Sequence, residues 1–438
     1  MTRGTRWLSI MAMLALLTAA CGGDDDDGAG GDAPTGAPGE TDGTDGTAGD
    51  AAPEEVETDT GVTDDAIRVA VLNDFSGPLA SIGTPSAIGV EIYFDARNAD
   101  GGICGRQVEV VREDTMYDNQ VTIQKYRAVK DDVVAITQLV GTAATLAVAN
   151  DIARDGIMVM ASTGSGAVIP LENIYLFITP FPIEAINAVS WAAEEQAGDD
   201  DELQLGVIYQ GDPYGEEGLS AVEEAAEELG NVDIVATASY AQTDQDFSAQ
   251  VQAMQEADAE VVYLHATPRQ TAGVLGVASQ RGYEPIVVGN SPTFGSALVE
   301  PLGALLDNFR VVTSAAFWGE DVPGMADFLA AAEEYAPDLA PDTFAVVGWN
   351  NAVVQAAALE RACELGDLTQ AGVLAAMDGL EVDLEGMGPD VSYGATPDER
   401  IPSREVRISG INLETSFAEP VTEYFSSEAA EAFTLPEG

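Results

Sequence analysis

Residues 157–168 read IMVMASTGSGAV. An apolar stretch with the pattern of a buried strand runs into Ala161-Ser162-Thr163-Gly164-Ser165-Gly166, a turn with three hydroxyls, two glycines and no charge. Those residue types suit a serine nucleophile, a phosphate cradle or a neutral rest for a ligand. A nucleophile elbow would read G-x-S-x-G, and none occurs. A Ser-His-Asp arrangement could draw on only His265, which sits inside an apolar strand run and reads as a packed residue. The phosphate loop G-x-x-x-x-G-K-[ST] fails too, because Lys125 and Lys130, the chain's two lysines, fall on a helical pattern away from any glycine loop. One histidine and three scattered cysteines give no zinc spacing, and the paired acids lie on helix faces such as EEAAEELG. No catalytic set, metal or cofactor is therefore expected, and the ligand rest remains.

The elements that must position this turn alternate along the chain. Strand-like runs occur at 67–75 (IRVAVLNDF), 107–114, 133–141, 157–162 and 175–180, with helical patterns between them, the first from about Pro85 to Asn98. A second series follows at 203–210, 232–240, 260–268 and 285–290. Near-continuous β-branched runs separated by helices predict parallel strands covered on both faces. Two such series, over a length too great for one comfortable core, predict an α/β protein of two doubly wound units. Ligands of such sheets bind at the carboxyl ends of the strands, where loops and helix N-termini present N–H groups. That rule selects 73–77, 141–144, 210–215, 266–270 and 289–293 besides the opening turn, with Asp74, Asp212 and Arg269 as their notable charges.

The chain begins MTRGTRWLSIMAMLALLTAAC, with Arg3 and Arg6 ahead of a short apolar run and then small residues, the pattern of an export signal over 1–20. LLTAAC resembles the lipobox of bacterial lipoproteins, which implies acylation of Cys21, although Thr18 holds the place usual for leucine. A plain secretory signal is the alternative. Residues 21–65 are Gly, Asp, Thr, Ala, Pro and Glu with almost nothing large and apolar, so they read as an acidic, disordered tether. The whole chain holds 75 Asp and Glu against 17 Lys and Arg. This balance argues against a nucleic-acid partner and suits solubility in a saline medium. With Cys21 acylated, Cys104 and Cys363 remain as a pair in an exported chain, either bonded or as buried thiols.

The stretches IRVAVLNDFSGPLASIG, DARNADGGICGRQVEVVREDT, GIMVMASTGS, VIYQGDPYGEEG, QTDQDFSAQVQAMQEADAEVVYL and PSREVRI together resemble the branched-chain amino-acid (Leu/Ile/Val) class of bacterial ABC-importer substrate-binding proteins, from about residue 66 to 410. The resemblance implies a type I periplasmic-binding fold, with lobe I at 66–181 and 315–400, lobe II at 182–314 and 401–438, and ligand clamped between them. It implies a monomer on the outer side of a bacterial membrane, held there by lipid alone, whose lobes close on a small molecule and deliver it to an ABC permease. A ligand-sensing receptor of the same fold is the other reading. By the same resemblance the ligand carboxylate rests on Gly141, Thr142, Thr163 and Ser165, while Tyr214, Thr267 and Ser291 close from lobe II. Two positions depart from the family pattern. Ser291 stands where the family places an acid for the ligand ammonium, and Ile82 where it places a first-lobe aromatic. An aliphatic or aromatic acid, or an amide, therefore suits the pocket at least as well as leucine, unless Asp212 or another acid substitutes.

Overall fold

The structure is a computed structural model that describes residues 56–196, 202–415 and 417–435. The signal-like segment, Cys21 and most of the acidic segment lie outside the described residues. Among those described, no helix is long and apolar enough to cross a membrane. The expected tether, however, ends sooner than residue 65. Strand β1 (Glu57–Thr58) pairs with Asp367–Leu368, and Val62 is buried. Two short apolar anchors, Val56 and Val62, are enough to dock this stretch on the core.

The first sheet is built from β2 (Ala66–Asn73), β3 (Gln107–Asp114), β4 (Ala135–Val140), β5 (Met158–Ser162) and β6 (Ile174–Tyr175), all parallel, in the order β3-β2-β4-β5-β6. Helices α1 (Ala80–Ala99), α2 (Asn119–Val129) and α3 (Thr142–Asp155) make the crossovers. Every residue of β4 is buried, as expected of a central parallel strand with helices on both faces. Two expected boundaries move. Helix α1 starts ahead of Pro85 and runs through it, because its buried face from Gly83 to Phe94 outweighs the one hydrogen bond the proline forfeits. The strand expected over 175–180 is confined to Ile174–Tyr175, since the chain there leaves the sheet to cross into the second unit.

After α4 (Phe181–Gln196) the second sheet uses β7 (Leu203–Gln210), β8 (Val232–Tyr240), β9 (Val261–His265), β10 (Ile286–Gly289) and β11 (Phe309–Thr313). Its crossover helices are α5 (Pro213–Leu229), α6 (Ser248–Glu256) and α7 (Pro268–Gln280), and a short α8 (Val299–Leu302) follows β10. The chain then returns to the first unit with α9 (Pro323–Tyr335) and α10 (Thr343–Glu364). Strand β12 (Asp367–Leu368), α11 (Gln370–Ala375) and the hairpin β13 (Glu381–Val382) with β14 (Val391–Ser392) follow. It crosses back to add antiparallel β15 (Arg407–Asn412) and β16 (Phe417–Pro420) to the second sheet, giving β16-β15-β11-β10-β9-β7-β8. In both sheets the first strand of the series (β2, β7) lies between the second and third, so each has its switch point there.

Helix α10 packs tightly on α1, where glycine is required on both sides. A Cβ at Gly89 would come within 2.0 Å of the Ala345 carbonyl oxygen, and one at Gly348 within 1.9 Å of that of Ser86. The same returning segment carries Cys363, bonded to Cys104 with Cα atoms 6.2 Å apart. The three crossings between units are tied at one residue. The Thr179 N–H donates to Ser314 Oγ (3.0 Å), and its hydroxyl donates to the Glu405 carbonyl (2.7 Å). The disulfide closes a loop of 259 residues and so removes much freedom from the unfolded chain. Reduction, or a Cys363→Ser substitution, is expected to cost about 2–5 kcal/mol of stability, read from denaturant unfolding of the oxidised and reduced protein.

Candidate functional site

The carboxyl edges of the two sheets border one cleft of about 940 Å³, counting its open mouth. From the first unit, β4 runs into Gly141, whose φ of 99° only glycine adopts readily, and α3 starts at once with Thr142. The ring of Tyr117 lies over Gly141, where a Cβ would come within 2.3 Å of its Cε2. The Thr142 and Thr163 hydroxyls are hydrogen-bonded to each other at 2.8 Å, both buried, at the ends of neighbouring strands. The first-turn N–H groups of α3 have no carbonyl four residues back, so hydroxyl and amide donors gather at one point. Ile82, on α1, lines the same space, and the first unit supplies its rings from Tyr117 and from Phe344 on α10, not from residue 82.

From the second unit, α5 brings Tyr214 to the cleft. Asp212 caps that helix, its carboxylate accepting from the N–H groups of Tyr214 (3.1 Å) and Gly215 (3.3 Å) and from Gln210 Nε2 (2.6 Å). Asp212 is thus committed to the backbone and is no substitute acid for a ligand. Asp74 is likewise consumed by the loop after β2, accepting from the N–H groups of Ser76, Gly77 and Leu79. The Tyr214 hydroxyl donates to the Ala266 carbonyl (2.9 Å) and meets Asn290, which fixes the ring. Thr267, at the cap position of α7, and Ser291, after β10, complete this wall.

Of the eight candidate residues, Ile82, Gly141, Thr142, Thr163, Tyr214, Thr267 and Ser291 all line this cleft. Ser165 does not. It is fully buried on the far side of the turn, and its hydroxyl donates to Glu217 at 2.6 Å. Burial pushes the Glu217 carboxyl up to about 7. His265 packs among Tyr214, Tyr263 and Phe181, accepts or donates at Tyr263 and Asn290, and is driven by burial down to about 3. A fully buried acid, Glu184, stands behind Ser291. One of its oxygens accepts the Ser291 N–H at 3.1 Å, the other has no partner, and burial pushes the carboxyl up to about 8.

Sequence reasoning missed Tyr117, Gln242, Phe317, Thr343 and Phe344 as cleft residues. Tyr117 sits with φ at 51°, an uncommon value for a tyrosine, in a loop after β3 that carried no motif. Phe344 is held at the start of α10 by its cap Asp342, far along the chain from the opening turn at 161–166, so no local signal could link the two. Phe181, Phe317 and Phe344 with Ile82, Ile178 and Leu79 make the cleft largely apolar, and none of the described residues lining it is Asp, Glu, Lys, Arg or His.

Comparisons with known proteins agree with this geometry. Residues 66–413 match the periplasmic binding protein family. A Leu/Ile/Val-binding protein homolog 7 of Brucella abortus is 25% identical over 395 residues, covering 85% of this chain and 94% of that one. A fatty acid ABC transporter substrate-binding protein from Thermomonospora curvata superposes with a TM-score of 0.81 at 27% identity, over 87% of this chain and 97% of the other. A branched chain amino acid ABC transporter protein from Thermus thermophilus with bound valine gives 0.75 at 21%, over 84% and 99%. With two doubly wound sheets facing one cleft and a match along most of its length, the chain belongs to the periplasmic binding protein family, as a type I substrate-binding protein of the ABC-transporter kind.

Proposed function

We propose that this protein captures a small carboxylic acid with an uncharged, apolar tail, outside the cytoplasmic membrane, and delivers it to an ABC permease by closing two lobes over it. Lobe I takes 66–181 and 315–400 and lobe II takes 182–314 with the strands after 401. Cys21 is the lipid anchor of the monomeric chain, and residues 22–55 are its tether. The observation that carries this reading is the composition of the cleft wall, which has no charged side chain among the described residues. A carboxylate can still be held there. Thr142, Thr163 and the start of α3 offer neutral donors to an anion without a buried countercharge.

An amino-acid ligand would bring an ammonium into the same space with no carboxylate to meet it, which costs several kcal/mol. Glu184 does not line the cleft: one of its oxygens accepts the Ser291 N–H, Ser291 stands between it and the cleft, and burial raises its carboxyl to about 8. Ile82, Phe317 and Phe344 suit an aliphatic or aromatic tail. The fatty acid transporter relative from Thermomonospora curvata supports the same ligand class.

Titration calorimetry with laurate, dodecylamine and leucine tests the class. Laurate is expected to bind and the two amines to fail; binding of leucine alone would overturn the reading. Replacing Thr142 by valine removes one donor to the charged head and is expected to weaken laurate at least tenfold, by the roughly 1.5–3 kcal/mol of a hydrogen bond to a charged group. The neutral state of Glu184 has its own signature. Its carboxyl is raised from 4.5 to about 8, so it contributes stability below about pH 4.5 that is lost as pH rises through 8. A Glu184→Gln variant should therefore melt progressively higher than the parent as the buffer moves from pH 5 to 9, with the gap smallest at pH 5.

A further inference from the structure

The hydroxyl-rich turn after β5 has two faces, and only one meets the ligand cleft. Ser162 and Thr163 line the cleft, whereas Ser165 and Gly166 turn toward the second unit. There they meet Glu217 on α5. The Ser165 hydroxyl donates to Glu217 Oε2 at 2.6 Å, and the Gly166 N–H donates to Glu217 Oε1. Ser165 N–H in turn donates to Thr163 Oγ1 at 3.2 Å, which ties the acid-bound side of the turn to the hydroxyl that faces the ligand.

Both glycines of the turn are explained by approach of residues beyond the first crossing. A Cβ at Gly166 would come within 2.9 Å of Glu217 Oε1, and one at Gly164 within 2.5 Å of the Phe181 ring. The Phe181 N–H also donates to the Gly164 carbonyl, at 2.5 Å. Glu217 and the cleft residue Tyr214 lie three apart on α5, hence on neighbouring positions of one helix surface. A movement of α5 that brings Tyr214 over the ligand therefore also brings Glu217 onto the turn.

We propose that Glu217 is a positioning residue for ligand capture: by accepting from Ser165 Oγ and Gly166 N across the unit boundary, it sets the turn that presents Thr163 and couples docking of the second unit to ligand binding in the first. The proposal rests on the two-lobed capture reading above. It assigns Ser165 to the contact between units instead of to the ligand. It also accounts for a half-buried carboxyl group with no cation paired to it among the described residues, since its two oxygens are satisfied by the turn's N–H and O–H donors.

Two measurements on the full chain test it, one needing no ligand. In hydrogen exchange without ligand, Glu217→Ala is expected to raise exchange selectively over residues 163–168 while the β7 core stays protected; unchanged exchange there overturns the proposal. In stopped-flow with laurate, Glu217→Ala is expected to speed dissociation about tenfold, within the range of coupling between sites, with little change in association. Glu217→Gln, whose carbonyl still accepts from Gly166, should recover most of that loss. The double variant with Ser165→Ala should lose no more than Glu217→Ala alone, because the two act as one contact. Independent, additive losses, or laurate kinetics identical to the parent, overturn the proposal. If the parent itself fails to bind laurate, the ligand class falls and the exchange measurement alone decides the role of Glu217.

Discussion

Everything in the site depends on where parallel sheets put the N-termini of their helices. A right-handed crossover leaves each strand at its carboxyl end and starts the next helix there, so the free N–H groups of several helices gather along one edge. In this protein the edges of two such sheets border one space. Gly141–Thr142 at the head of α3, Asp212–Pro213 at the head of α5 and Thr267–Pro268 at the head of α7 bring residues to it. The Thr142–Thr163 hydroxyl pair and the walls around it follow from that placement.

The cleft is neutral even though the chain carries a formal charge of -58. The acids near the site are turned away from it and used for structure. Asp74 and Asp212 are spent on backbone N–H groups, as is Asp342 at the start of α10. Glu184 is fully buried and Glu217 half-buried, and loss of solvent raises their carboxyls to about 8 and about 7. A wall built this way can hold an anion on dipoles and hydroxyls, because no fixed negative charge faces it.

Two features let a two-unit chain act as one binding protein. The returning segment is fastened to the first unit by the α1–α10 glycine contacts and by the Cys104–Cys363 bond, so α10 can present Phe344 to the cleft from a rigid base. The crossings are short and meet at one bonding residue, Thr179, which ties the first crossing to Ser314 and to the Glu405 carbonyl. Hinge motion of such a chain needs only a few residues at the crossings to change.

Alternation of apolar runs was enough to predict two doubly wound units, because parallel strands buried on both faces leave a signature in every strand. The glycine and hydroxyl turns at strand ends were legible for the same reason: Gly141, Thr142, Thr163, Tyr214, Thr267 and Ser291 are each local to a strand end, and each reaches the cleft. Tertiary structure alone decided the rest. Ser165 carries the same local signal as Thr163, yet two residues along the turn its side chain faces Glu217 rather than the cleft. Phe317, Thr343 and Phe344 reach the site from a segment that leaves the second unit and returns, and the partner of Ser291 is Glu184, 107 residues away. Which face of a turn meets ligand, and which acids burial neutralises, depend on contacts between distant segments, and periodicity along one segment holds no record of them.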